Sequence, residues 1–208
     1  METRSGAVVR HLPLGLMYAR LALGLALLAL AAWGVPHFAV LAAGIVTAGL
    51  LTDIFDGIVA RQLGVSTEKL RRLDSTIDQV FWAAVVGAAW LACPAFFAQH
   101  AAKLLLLLAL EALTYALCYL KFRKEIATHS WAAKAWVLVS FAALIQLIGT
   151  CKSGWLFEVS FYLGVLSRLE IGAIVLVLRR WTNDVPTAWH AAQLRQGKPI
   201  KRHKLFNG

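Results

Sequence analysis

Apolar stretches, each about as long as a bilayer is thick, alternate along this chain with short polar connections. Six of them predict six helices: Leu14 to Gly34, Phe38 to Ala60, Asp74 to Phe97, Ala102 to Leu120, Trp131 to Thr150 and Leu156 to Leu178. Each comes near the roughly 20 residues that an α-helix needs to cross the hydrocarbon layer. Val35-Pro36-His37 separates the first from the second, because proline cannot continue a helix. A turn near Gly64-Val65-Ser66 is expected between the second and third. The pattern predicts an all-α membrane protein with six transmembrane helices: an N-terminal segment (1–13), a six-helix domain (14–178) and a basic tail (179–208). Val8 to Tyr18, part apolar and part basic, reads either as a helix lying along the membrane interface or as a leader without structure. A short helix is expected in the tail between Val185 and Leu194.

Composition agrees with this pattern. Of 208 residues, 60% are hydrophobic and 15% charged; soluble domains carry about 45–50% and about 25%. A soluble enzyme is thereby excluded. The net charge of +10 would suit a nucleic-acid binder, yet the basic residues gather in alternate connections and no aromatic-rich RNA motif accompanies them. Arg4 and Arg10 precede the first span. Arg61, Lys69, Arg71 and Arg72 lie between the second and third, and Lys121, Arg123 and Lys124 between the fourth and fifth. Arg179, Arg180, Arg195, Lys198, Lys201, Arg202 and Lys204 follow the sixth, while the intervening connections hold only Lys103 and Lys152. By the positive-inside rule, both termini and both basic loops face the cytoplasm, the tail meets anionic headgroups, and no nucleic acid is needed to explain the charge. Trp33, Trp131, Trp155 and Trp181 stand at span ends, as interfacial tryptophans do. Cys93, Cys118 and Cys151 are odd in number and widely spaced; they read as small apolar residues, with neither a disulfide nor a zinc site expected.

Against this apolar background stand Asp53, Asp56, Asp74 and Asp78, four acids within 26 residues. An Asp at the centre of a membrane helix costs about 2.5–3.5 kcal/mol on insertion scales, so four require compensation. Asp53 and Asp56 are three apart and Asp74 and Asp78 four apart, so each pair shares a helix face. At the helical rise, Asp56 and Asp74 lie roughly 12 and 15 Å from the turn at Gly64, and Asp53 and Asp78 roughly 16 and 21 Å. In an antiparallel hairpin all four converge in one layer just inside the cytoplasmic surface. Clustered carboxylates repel one another unless a cation lies between them. All-oxygen ligands suit Mg²⁺, Mn²⁺ or Ca²⁺, and four carboxylates can bridge two such ions, which points to phosphate or diphosphate chemistry. Gly57 leaves room for a ligand near the backbone, Ala60 keeps that face shallow, and Arg61 offers a permanent cation to a phosphate oxygen.

These residues resemble the signature of the CDP-alcohol phosphatidyltransferase family: Asp-x2-Asp-Gly-x2-Ala-Arg, a spacer of eight or nine residues, Gly, three residues, Asp, three residues, Asp. Asp53, Asp56, Gly57, Ala60, Arg61, Asp74 and Asp78 all fall in register with the eight-residue spacer. Pro13 and Arg20 also look like the family's Pro-x6-Arg approach to the first helix. One position departs: Leu70 stands where the signature has its second glycine, a residue that in the family lies near the nucleotide. The resemblance implies a divalent-metal-dependent transferase of phospholipid synthesis. Two Mg²⁺ or Mn²⁺ ions would be held by the four aspartates, with Gly57, Ala60 and Arg61 at the substrate and Asp78 as general base. A phosphatidyl group would pass from CDP-diacylglycerol to a small polar alcohol, with release of CMP. Glycerol 3-phosphate is the acceptor expected of bacterial members this size, in the inner membrane, as homodimers. The alternatives are a catalytically altered relative with a lipid-binding or structural role, in which Leu70 obstructs the nucleotide, and an ion-coupled transporter.

The other polar residues within spans have less definite readings. Arg20 and Lys134 lie near the cytoplasmic ends of the first and fifth spans, where they either line a pocket for an anionic acceptor or snorkel to the interface. Glu111 and Arg168 suit an interhelical ion pair, and Gln146 interhelical hydrogen bonding.

Overall fold

The computed structural model of the chain describes residues 4–65, 67–124, 130–152, 154–183 and 185–200. Ser66, His129 and the basic end of the tail lie outside them, as do the side chains of residues 1–11, Arg61, Glu68 and Arg71. The described residues form eight helices and no strand: α1 (Arg4–Trp33), α2 (Phe38–Gln62), α3 (Glu68–Ala92), α4 (Pro94–Gln99), α5 (Ala101–Phe122), α6 (Trp131–Thr150), α7 (Trp155–Val177) and α8 (Ala188–Arg195). Six of these, α1–α3 and α5–α7, are long and apolar enough to cross a membrane. The predicted tail helix is present as α8, begun by Thr187, whose hydroxyl accepts the backbone N–H of His190.

Two boundaries differ from expectation. The third helix was expected over Asp74 to Phe97, but it begins at Glu68, where the Thr67 hydroxyl accepts the N–H of Leu70 at 3.2 Å. It ends at Ala92, because Cys93 precedes Pro94 and a residue before proline is driven out of the helical region. Pro94 then opens the short α4, a position where its missing N–H costs nothing. The first helix runs unbroken from Arg4 through a fully buried Pro13, so Val8 to Tyr18 belongs to one continuous helix with the first span.

The turn between α2 and α3 is formed by Gly64 at φ +66°, where the N–H of Val65 reaches back to the carbonyl of Ala60 at 3.1 Å. This is a Schellman closure, and it needs the left-handed conformation that glycine adopts freely. Gly34, at φ +62°, closes α1 in the same way.

The chain divides into two compact units. The first consists of Met1–Phe96 and Leu144–Lys152. In it α1 packs against both α2 and α3, which touch each other little. Arg20 meets Asp78, Gly24 meets Phe81, and Leu28 meets Gly87, so α1 and α3 run parallel. Phe81 is buried, held between Gly24 of α1 and Gly49 of α2. The same unit holds a feature the sequence reading ruled out, a disulfide joining Cys93 to Cys151. Cysteine spacing was uninformative because the break at Pro94 and the end of α6 bring together residues 58 apart in sequence. Cys118 is the expected buried free thiol.

The second unit consists of Phe97–Ala143 and Ser153–Gly208. Here α5 and α7 run parallel, clamped along their length by polar pairs. Lys103 bonds Glu158 at 2.6 Å, Arg168 pairs with Glu111 as expected, and Lys121 Nζ donates to the carbonyls of Val175 and Leu176 at 2.9 and 2.7 Å. The α6 segment runs antiparallel to α7, as the Ser140–Ser160 hydrogen bond (2.8 Å) and the seating of Trp136 on Gly164 show. The tail folds back so that Val185 and Ala191 pack on Ile174 and Leu178.

A Cβ added at Gly49 would lie 2.6 and 2.8 Å from Phe81 ring carbons, whereas at Gly44 it would meet nothing within 4 Å. Gly49→Ala is therefore expected to destabilise the protein by about 1–3 kcal/mol through overpacking. Gly44→Ala should leave stability equal or slightly raised. Thermal unfolding of the two variants in the same detergent checks this difference.

Candidate metal centre

The helix spacing does what the sequence predicted for each acidic pair, and the turn at Gly64 brings the pairs together. One carboxylate oxygen each from Asp53, Asp56 and Asp74 lies within 4.8 Å of the others. Asp78, one turn beyond Asp74, reaches the same cluster through a shared partner, Arg20. The carboxylates differ in access. Asp56 is fully buried, while the side chains of Asp53, Asp74 and Asp78 are 37%, 27% and 29% exposed. The cluster thus has a closed floor at Asp56 and an open rim of three acids.

Arg20 is the residue whose place the sequence left open, and it does not snorkel. It is completely buried, and α1 delivers its guanidinium into the carboxylates of α2 and α3. Nη1 donates to Asp53 at 3.0 Å and Asp74 at 3.1 Å and also contacts Asp78, while Nη2 contacts Asp56. The hairpin expected from α2 and α3 alone is therefore a three-helix arrangement. The signal in the sequence was Arg20 itself, a charged residue seven residues after Pro13 and within the first apolar run.

Charge and hydrogen bonding both remain unbalanced. Among the ion pairs of the described residues, one guanidinium meets four carboxylates, a formal excess of three negative charges. Asp56 Oδ1 is buried and accepts no hydrogen bond among the described residues. A buried acceptor without a donor costs on the order of 1–3 kcal/mol, and a charged one more. An oxygen-only, strongly anionic cluster with an unsatisfied buried oxygen fits hard divalent cations such as Mg²⁺ or Mn²⁺ and suits neither zinc nor copper.

The remaining signature residues flank this centre. Gly57 is half-buried and Ala60 buried on α2. Arg61 lies in the last turn of α2, its side chain outside the described residues. Leu70 sits in the first turn of α3, half-buried, four residues before Asp74 and eight before Asp78. It shares their face and stands one turn nearer the start of the helix.

Six apolar helices define an integral membrane protein, and α2 and α3, faced by the arginine of α1, bring together carboxylates close enough to hold a metal ion. The family model described as CDP-alcohol phosphatidyltransferase matches residues 10–185, and the chain belongs to that family. Its members transfer a substituted phosphate group from a CDP-alcohol and depend on divalent metal. No curated protein and no solved structure matches the chain.

If these carboxylates hold a divalent ion, Asp56→Asn or Asp74→Asn should weaken Mn²⁺ binding at least about tenfold, or ~1.4 kcal/mol. Glu158→Gln, in the Lys103 pair, should leave it unchanged. Electron paramagnetic resonance of Mn²⁺ titrated into detergent-purified protein makes the comparison.

Proposed function

We propose that this protein transfers the phosphatidyl group of CDP-diacylglycerol to a small polar alcohol, with glycerol 3-phosphate the preferred acceptor, and releases CMP. The observation that carries this reading is the meeting of Asp53, Asp56, Asp74 and Asp78, in signature register, around one anionic centre with an open rim. When bound, two Mg²⁺ or Mn²⁺ ions held by these four aspartates would screen the diphosphate and stabilise the departing CMP. The chain's own groups do the rest. Asp78, partly exposed at the rim, accepts the proton of the acceptor hydroxyl as general base. The hydroxyl oxygen forms a bond to the lipid-side phosphorus, and the bond from that phosphorus to the CMP oxygen breaks, its electron pair leaving with CMP. Arg61, at the cytoplasmic end of α2, offers its forked donors to the phosphate, and Gly57 and Ala60 leave room for it.

Leu70 favours a second reading, a relative with altered chemistry. Its side chain occupies the carboxylate face where the signature has no side chain, so it narrows the approach used by a nucleotide.

The centre is proposed to face the cytoplasm, on two grounds, and the bacterial inner membrane is proposed from the family resemblance alone. The basic residues gather in the connections at that end. The Cys93–Cys151 disulfide joins the opposite end of α3 to the end of α6, and disulfides persist in oxidising compartments outside the cytoplasm. A homodimer is proposed from the family alone.

Incubation of the purified protein with CDP-diacylglycerol, Mg²⁺ and a panel of alcohols should release CMP, most rapidly with glycerol 3-phosphate. Asp53→Ala and Asp78→Asn should each abolish release while the protein still inserts, and Leu70→Gly should raise it if the leucine limits nucleotide entry. No CMP with any acceptor, in both wild type and Leu70→Gly, would sink the transferase reading. For orientation, intact cells treated with an impermeant reductant and then an impermeant maleimide should show the exposed Cys151 labelled. Labelling of Cys151 only after the cells are opened, under the same reductant, would overturn the assigned orientation.

A further inference from the structure

Arg20 occupies the position in which the carboxylate cluster needs positive charge. Its guanidinium touches all four acids at once, spanning from the buried floor at Asp56 to the half-exposed rim. A purely structural arginine at full burial has its donors satisfied, since each buried unpaired N–H carries a desolvation cost. Here Nε is buried and donates to nothing among the described residues, and Asp56 Oδ1 beside the fork accepts nothing. The pairing is thus strong in charge yet incomplete in hydrogen bonding, and it leaves the cluster anionic. The acids that receive the guanidinium include Asp53, Asp56 and Asp74, the three close enough together to ligate a cation. A guanidinium and a divalent ion drawn to the same carboxylates repel each other, so each weakens the other's hold.

We propose that Arg20 is a resident counter-cation: it holds the carboxylates together in the metal-free protein and competes with the divalent ion, which binds only as the guanidinium withdraws. This rests on the reading that the aspartates hold metal, and it assigns Arg20 a positioning role that the acidic signature does not contain. It follows that the arginine lowers the affinity of the centre for metal while raising the stability of the metal-free state. A residue that merely braced the metal ligands would do the reverse to affinity.

The test uses the full chain in detergent, stripped with EDTA, as wild type, Arg20→Gln and Arg20→Lys. Mn²⁺ is titrated by electron paramagnetic resonance, and thermal unfolding is followed with EDTA and with saturating Mn²⁺. Arg20→Gln should bind Mn²⁺ at least about tenfold tighter than wild type, because one positive charge has left the centre. It should unfold at lower temperature in EDTA and recover in Mn²⁺. Arg20→Lys keeps the charge without the fork and should bind about threefold tighter than wild type. If Arg20→Gln does not fold without metal, the Arg20→Lys comparison decides. Equal or weaker Mn²⁺ binding by the folded variants, with wild type binding normally, overturns the counter-cation role and leaves the metal centre standing. Absence of Mn²⁺ binding by wild type overturns the metal reading instead.

Discussion

Everything in the first unit is arranged around the meeting of one buried guanidinium with four carboxylates. Such acids are costly in an apolar layer, and single-chain insertion scales charge about 2.5–3.5 kcal/mol for each at the helix centre. The structure lowers that cost with an opposite charge from α1, with partial exposure of three acids at the rim, and with the packing of α1 against both acidic helices. The parallel run of α1 and α3 is locked by Phe81, which fills the space that two glycines leave open. Close helix approach at Gly24 and Gly49 and charge compensation at Arg20 are thus parts of one arrangement: the guanidinium reaches the acids because small residues let the helices come together one to two turns away.

The second unit solves a similar problem with less charge. It holds two single ion pairs, Lys103 with Glu158 and Glu111 with Arg168, and the arginine also lies over the ring of Trp136 at 4.4 Å. Each acid of these two pairs has one base, so no surplus charge accumulates in them. The contrast identifies the chemistry-bearing part of the molecule: a structural ion pair is balanced, and the aspartate centre is not.

Much of this was legible in the sequence. Six spans follow from apolar length, and the acidic pairs follow from spacings of three and four; both depend on local periodicity. The turn at Gly64 was readable for the same reason. What escaped the reading depends on contacts distant in sequence. Cys93 and Cys151 meet only because Pro94 breaks α3 where it does. Arg20 lies 33 residues from Asp53 and 58 from Asp78. Its burial depends on α1 packing against both acidic helices, and no pattern within α1 states that.

The order of these residues along the chain has its own consequence for how the protein is made. During synthesis α1 leaves the ribosome before α2 and α3, so the base is at the membrane before any of the acids arrive. Asp53 and Asp56 follow their partner in the chain, and Asp74 and Asp78 come after both. An arginine on the last helix would leave the acids unaccompanied through most of translation. Placed on the first, it precedes every acid that it meets in the folded protein.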